Sequence, residues 1–148
     1  MNNRPAYMKA HNATVAENSP FERILVVDDE EALRKLHSAI LILAGYRVEM
    51  ARDGVDALAQ LAAGTFDLVF TDRQMPNLDG EGLVLEMRST GCRIPVVMIS
   101  GSLRYSPLPA RVAGEVSAAL PKPIRATEVI AAVFDALHPN ARRLAAAA

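Results

Sequence analysis

The sequence predicts an α/β protein: a doubly wound, five-stranded parallel sheet with helices on both faces. Three observations predict it. Short, wholly apolar, β-branched runs such as Ile24-Leu25-Val26-Val27 read as strands covered on both faces. Between these runs lie segments with helical apolar spacing, and regular alternation of strand and helix implies parallel strands joined by right-handed crossovers. Polar residues follow the strands where they would share one edge, the carboxyl edge at which such sheets carry their sites.

Ile24 to Val27 is the first central strand. Residues 30–44 carry Leu33, Leu36, Ile40 and Leu43 at helical spacing, with acids in the first turn and Gly45 placed for a left-handed cap. Residues 46–51 alternate like a strand near a sheet edge, and Val55, Leu58, Ala59, Leu61 and Ala62 mark a short helix closed by Gly64. Residues 66–71 are the third strand, 82–88 a helix with Leu83, Val84 and Met87 inward, and 95–99 the fourth strand. Pro107 and Pro109 then interrupt the rhythm, because each removes a backbone donor and restricts the residue before it. The fourth helix is therefore expected to be short or irregular. Residues 116–120 serve as the fifth strand, and Val129, Ile130, Val133, Phe134 and Leu137 define an amphipathic last helix over 127–137.

Residues 1–20 lack apolar periodicity and read as a mobile arm, residues 21–138 as the folded domain, and 139–148 as a tail with no recognisable further domain. At 148 residues the expectation is one domain without an output domain. Apolar residues make up 51% and charged residues 22% of the chain, as in ordinary globular proteins. The net charge of −1, with signs interspersed, argues against nucleic acid as a partner. No apolar run is long enough to span a bilayer, no secretory leader is evident, and Cys92 is the only cysteine, so a cytoplasmic location is expected and no membrane partner.

At the carboxyl edge, Asp28 and Asp29 follow the first strand, Asp72 the third, Ser100 the fourth, and Lys122-Pro123 the fifth. Three clustered carboxylates repel one another unless a cation sits among them. Mg²⁺ suits them, because it takes one or two carboxylates and keeps water or a phosphate oxygen as its other ligands; Mn²⁺ is the alternative. Asp72 lies at the sheet centre and is best placed to attack a phosphoryl group, with Asp28 and Asp29 as ligands. Lys122 adds positive charge and Ser100 a hydroxyl for a phosphate oxygen. The extra charge of phosphorylation can draw that hydroxyl and its loop inward, which makes a switch.

The segments ILVVDDE (24–30), LVFTDRQMPNLDG (68–80), VVMISG (96–101) and LPKPI (120–124) resemble, in order and spacing, the receiver domains of two-component response regulators, over residues 22–137. The resemblance implies a flavodoxin-like (βα)5 fold with Asp72 as phosphoacceptor. It implies Asp29 as a direct metal ligand, Asp28 as a ligand acting mainly through water, and the Gln74 backbone carbonyl as the remaining protein ligand. It further implies Ser100 as the switch hydroxyl, Lys122 as the phosphate-pairing lysine and a cis bond before Pro123. The implied partners are a histidine kinase or phosphotransfer protein and a downstream protein of unknown identity; homodimerisation stays open.

One departure stands out. Receivers usually carry Tyr or Phe three residues before the lysine, and here the residue is Ala119. Tyr105 is the nearby aromatic available to take its place. The leading expectation is a single-domain phosphorylation switch that promotes only its own phosphorylation and dephosphorylation, and so is not an enzyme with external turnover. The competing one is a degenerate interaction module or phosphate sink, motivated by Ala119 and the two prolines. An aspartyl phosphatase of the haloacid-dehalogenase kind is disfavoured, since it needs an acid where Gln74 stands. Arg73, directly after Asp72, reads as a solvated surface arginine, with extension over the pocket rim as the alternative, and His11, His37 and His138 read as surface or helix-face residues without ligand spacing.

Overall fold

The computed structural model describes residues 21–147. The arm expected over residues 1–20, with His11, lies outside the described residues. Five strands, β1 (Arg23–Val27), β2 (Arg47–Ala51), β3 (Leu68–Asp72), β4 (Val96–Ser100) and β5 (Ala118–Pro121), form one all-parallel sheet in the order β2-β1-β3-β4-β5. They alternate with α1 (Glu31–Leu43), α2 (Gly54–Ala63), α3 (Gly80–Ser89), α4 (Ala110–Ala113) and α5 (Ala126–Leu137). This is the doubly wound architecture that the strand and helix alternation predicts, in the flavodoxin-like form that the resemblance implies. One further helix, α6 (Pro139–Ala146), occupies the tail.

Successive residues of a strand point to opposite faces, and the core divides accordingly. Ile24, Val26, Leu68, Phe70, Val97 and Ile99 pack on one face against Leu41 of α1 and Val129 and Val133 of α5. Leu25, Val27, Val69, Val96 and Met98 pack on the other against Ala57 of α2, Leu83, Val84 and Met87 of α3, and Val112 of α4. Burying a large aliphatic side chain is worth about 1.5–3 kcal/mol, so the three central strands, apolar on both faces, carry most of the driving force.

The inward face of α1 is not set by its leucine spacing alone. His37, Ser38 and Leu41 are buried, while Leu36 and Leu43 are 52% and 77% exposed. The helix is apolar around much of its circumference, so periodicity alone leaves its rotation open. Contact with Phe70 and α5 sets it. In α2 the inward residue is Ala57, with Val55 on the exposed side. Gly45, at φ 100, makes the left-handed turn that releases the chain from α1 into β2. The short α4, four residues long, begins only after Pro109, as the prolines require.

The direction in which strands are added to the sheet reverses between β1 and β3: the first crossover moves outward to β2 and the next returns to the other side of β1. A crevice opens at the carboxyl ends of strands at such a switch point. Asp28-Asp29 and Asp72 end the two strands that flank it.

Candidate functional site

Asp28, Asp29 and Asp72 each bring a carboxylate oxygen to within 4.8 Å of the others. The sheet fixes two of the three. Asp28, buried at the end of β1, donates its backbone N–H to the Ala51 carbonyl, while Arg34 Nη1 donates to the Asp28 carbonyl at 2.8 Å. Asp28 Oδ1 accepts the Glu30 N–H at 2.9 Å, but its Oδ2 is buried with no hydrogen-bond partner among the described residues. Burial, and then the charges of Asp72 and Asp29, push the Asp28 carboxyl above its ordinary range, against the lowering effect of the Glu30 N–H and Lys122. An orphaned, desolvated carboxylate oxygen facing two further acids is the donor set a hard divalent cation fits. Asp29 is exposed at the rim.

Asp72 ends β3 and is 8% exposed. Its Oδ1 accepts the Arg73 N–H at 2.8 Å, and its Oδ2 lies 3.3 Å from Lys122 Nζ. Lys122 is held at the edge by its own N–H, which donates to the Ser100 carbonyl, and the bond from Lys122 to Pro123 is cis. Ser100 is buried; its Oγ lies 2.9 Å from Ser102 Oγ and accepts the Ser102 N–H at 3.1 Å, so the hydroxyl shapes the turn that leaves β4. Gln74 is exposed on the β3–α3 loop, two residues beyond Asp72. Ala119 is exposed on β5 and, with Leu103, Pro107, Leu108 and Val116, lines a shallow groove of about 580 Å³. Tyr105 does not fill it: the ring is 88% exposed.

Three features escaped the sequence reading. Arg73, expected in solvent, is 6% exposed; its Nε pairs with Glu81 Oε2 at 2.9 Å and its Nη1 and Nη2 face the Ser106 and Pro107 carbonyls. The partners lie too far along the chain for local spacing to suggest them. His37, expected on the surface or on a helix face, lies on the buried face of α1, edge-on against Phe70 with ring centroids 5.3 Å apart. Burial first, and then the charge of Lys122, hold its imidazole below the ordinary 6.5, opposed by Asp72. Third, Asn77 Nδ2 donates to Asp53 Oδ2 at 2.8 Å and the Gly54 N–H to the Leu78 carbonyl at 3.0 Å, tying the β2–α2 loop to the loop after Asp72. Asn77 makes this turn at φ 68, a conformation Asn tolerates better than most residues.

A family model described as the response regulator receiver domain matches residues 24–134. Response regulator MprA of Mycobacterium ulcerans is 40% identical over 112 residues, covering 74% of this chain and 47% of that protein. MprA of Mycobacterium sp. strain KMS is 41% identical over 112 residues with the same coverage. The chain thus spans about half the length of these relatives. Among solved structures, chemotaxis response regulator CheY4 of Vibrio cholerae superposes with a TM-score of 0.71 at 28% identity, over 79% of this chain and 99% of that one. The response regulator TrrA of Thermotoga maritima, solved in complex with Mg²⁺ and BeF, gives 0.71 at 27% identity, over 78% and 99%.

Proposed function

This chain belongs to the response regulator receiver domain family of two-component signalling, and from that premise we propose that Asp72 is the residue through which it is switched. Members of the family are phosphorylated on an aspartate, interact with histidine kinases and bind Mg²⁺ at an acidic pocket. The observation that carries the reading here is the meeting of three carboxylates within 4.8 Å, with Lys122 Nζ 3.3 Å from Asp72 Oδ2.

Asp72 Oδ1 accepts the Arg73 N–H, and Oδ2, on the side of Lys122 Nζ, is the attacking oxygen. A new bond forms from Oδ2 to phosphorus while the bond from phosphorus to the donor breaks, and the leaving imidazole of a donor histidine takes up a proton. Lys122 pairs with a phosphoryl oxygen, and Ser100 gives up its contact with Ser102 to donate to another. Asp28, Asp29, Asp72 and the Gln74 carbonyl would hold Mg²⁺, with Mn²⁺ as a substitute. Bound there, the metal supplies neutralisation of negative charge on the transferring oxygens. The chain's chemistry is confined to its own aspartate and turns over no separate metabolite. Its phosphodonor is a histidine kinase or phosphotransfer protein, its output is altered binding of a downstream protein, and its place is the cytoplasm. Among the described residues no helix is long and apolar enough to cross a membrane.

Incubation with acetyl phosphate, followed by intact mass, tests the reading. Wild type gains one phosphoryl mass with Mg²⁺ and none with EDTA, and Asp72→Asn gains none. Equal labelling of Asp72→Asn, or no labelling of folded wild type by either acetyl phosphate or a kinase donor, would overturn it. In the second case the exposed groove beside Ala119 and the 88% exposed Tyr105 favour a phosphorylation-independent interaction module.

A further inference from the structure

We propose that Arg73 is a positioning residue that couples Asp72 to the segment between β4 and α4, residues 101–109, taking the part for which Ala119 has no side chain. This inference rests on the reading of Asp72 as phosphoacceptor. The residue is wired to both ends of the path. Its main chain touches the acceptor: the Arg73 N–H lies 2.8 Å from Asp72 Oδ1 and 2.9 Å from the Ile99 carbonyl, and its carbonyl accepts the Gly80 N–H at 2.8 Å. Its side chain holds the segment. The guanidinium reaches the carbonyls of Ser106 and Pro107, the latter at 3.5 Å, while Nε stays on Glu81.

The segment needs such an anchor. Because α4 starts only at Ala110, the carbonyls of Ser106 and Pro107 stand outside its helical ladder, and Pro107 and Pro109 contribute no backbone donors of their own. A planar guanidinium can serve two neighbouring carbonyls at once, and Glu81 offsets the cost of burying its charge. At its other end the segment is set by the Ser100 and Ser102 hydroxyls, 2.9 Å apart. Phosphorylation at Asp72 turns the carboxylate that accepts the Arg73 N–H into an acyl phosphate, a weaker acceptor, and draws Ser100 away from Ser102. Both anchors of residues 101–109 therefore sense the same event. The groove formed by Leu103, Pro107, Leu108 and Ala119 is the surface that would change.

Hydrogen exchange on the full chain tests this, with Mg²⁺ and beryllofluoride as the probe and bound-fluoride NMR to report loading. Wild type should slow exchange across residues 103–108 by about fivefold on loading. Arg73→Ala, which keeps the backbone N–H, should exchange there about tenfold faster before loading, still show bound fluoride, and give no slowing. Arg73→Lys keeps a charge beside Glu81 without the fork; it should fold should the alanine variant not, and should likewise lose the response. If either folded variant slows like wild type, or if exchange before loading is unchanged in Arg73→Ala, the coupling does not run through Arg73. If wild type itself acquires no bound fluoride, the phosphoacceptor reading falls first and takes this inference with it.

Discussion

Replacing Asp28 by asparagine removes one of three carboxylates whose oxygens lie within 4.8 Å of one another. Two unit charges at that distance repel by about 0.9 kcal/mol in bulk water and about 3.5 kcal/mol at the effective dielectric typical of protein sites. Asp29 is exposed and Lys122 offsets part of the field, so the net relief should fall near the lower bound, about 1–2 kcal/mol. The asparagine carbonyl keeps the Glu30 N–H, and what it replaces is the oxygen that has no partner. Asp28→Asn should therefore melt about 3–8 °C above wild type in EDTA. Mg²⁺ should close most or all of that gap. At a hundredfold excess over its dissociation constant, a ligand stabilises the folded state by about 2.7 kcal/mol, and the variant should gain half of that or less at the same concentration. The assay is thermal denaturation in EDTA and in Mg²⁺. A variant that melts below wild type without metal, or gains as much from Mg²⁺, would refute the view of Asp28 as a strained ligand awaiting a cation.

Other outcomes follow from the same geometry. Lys122→Gln should slow labelling of Asp72 by acetyl phosphate tenfold or more, read by quenched intact mass, because it removes the cation 3.3 Å from Oδ2. Gly80→Ala should cost about 2 kcal/mol in urea unfolding, since the added Cβ would sit 2.4 Å from the Asp72 carbonyl and 2.9 Å from Arg73 Cα, both backbone atoms that cannot step aside cheaply. His37 titrates lower in the folded chain than its ordinary 6.5, so acidification protonates the unfolded chain first. Its contribution to stability is present above 6.5 and is lost as pH falls from there toward the folded value, with a slope of at most about 1.4 kcal/mol per pH unit. His37→Leu should lack that part of the slope in denaturation followed from pH 7.5 to 5.5, and a variant with the wild-type slope would show that His37 is not its source.

The strands and the acidic edge were legible because their signals are local. Ile24 to Val27 and Val96 to Ile99 can be buried only as central strands, and Asp28, Asp29, Asp72, Ser100 and Lys122 sit at or directly beyond strand ends, so a parallel topology brings them to one edge. The rotation of α1 was not legible. With leucine or isoleucine at 33, 36, 40, 41, 42 and 43, more than one face could turn inward, and packing against Phe70 chose the one that buries His37 and Leu41. Arg73 was misread for a related reason. Glu81 lies eight residues away and the two carbonyls lie 33 and 34 residues away, across a crossover that no helical or strand period spans. The α6 helix did carry a local signal, the alanine-rich stretch after Pro139, which favours helix by propensity and by proline at the first turn.

The phosphoryl group is expected to reside on Asp72 and on no other acid of the cluster. Borohydride reduction of the freshly phosphorylated chain converts an aspartyl phosphate to homoserine, and peptide sequencing by mass spectrometry locates the converted residue. Homoserine should appear at position 72 only, dependent on Mg²⁺ during labelling. Conversion at 28 or 29, or labelled protein with no conversion anywhere, would contradict it.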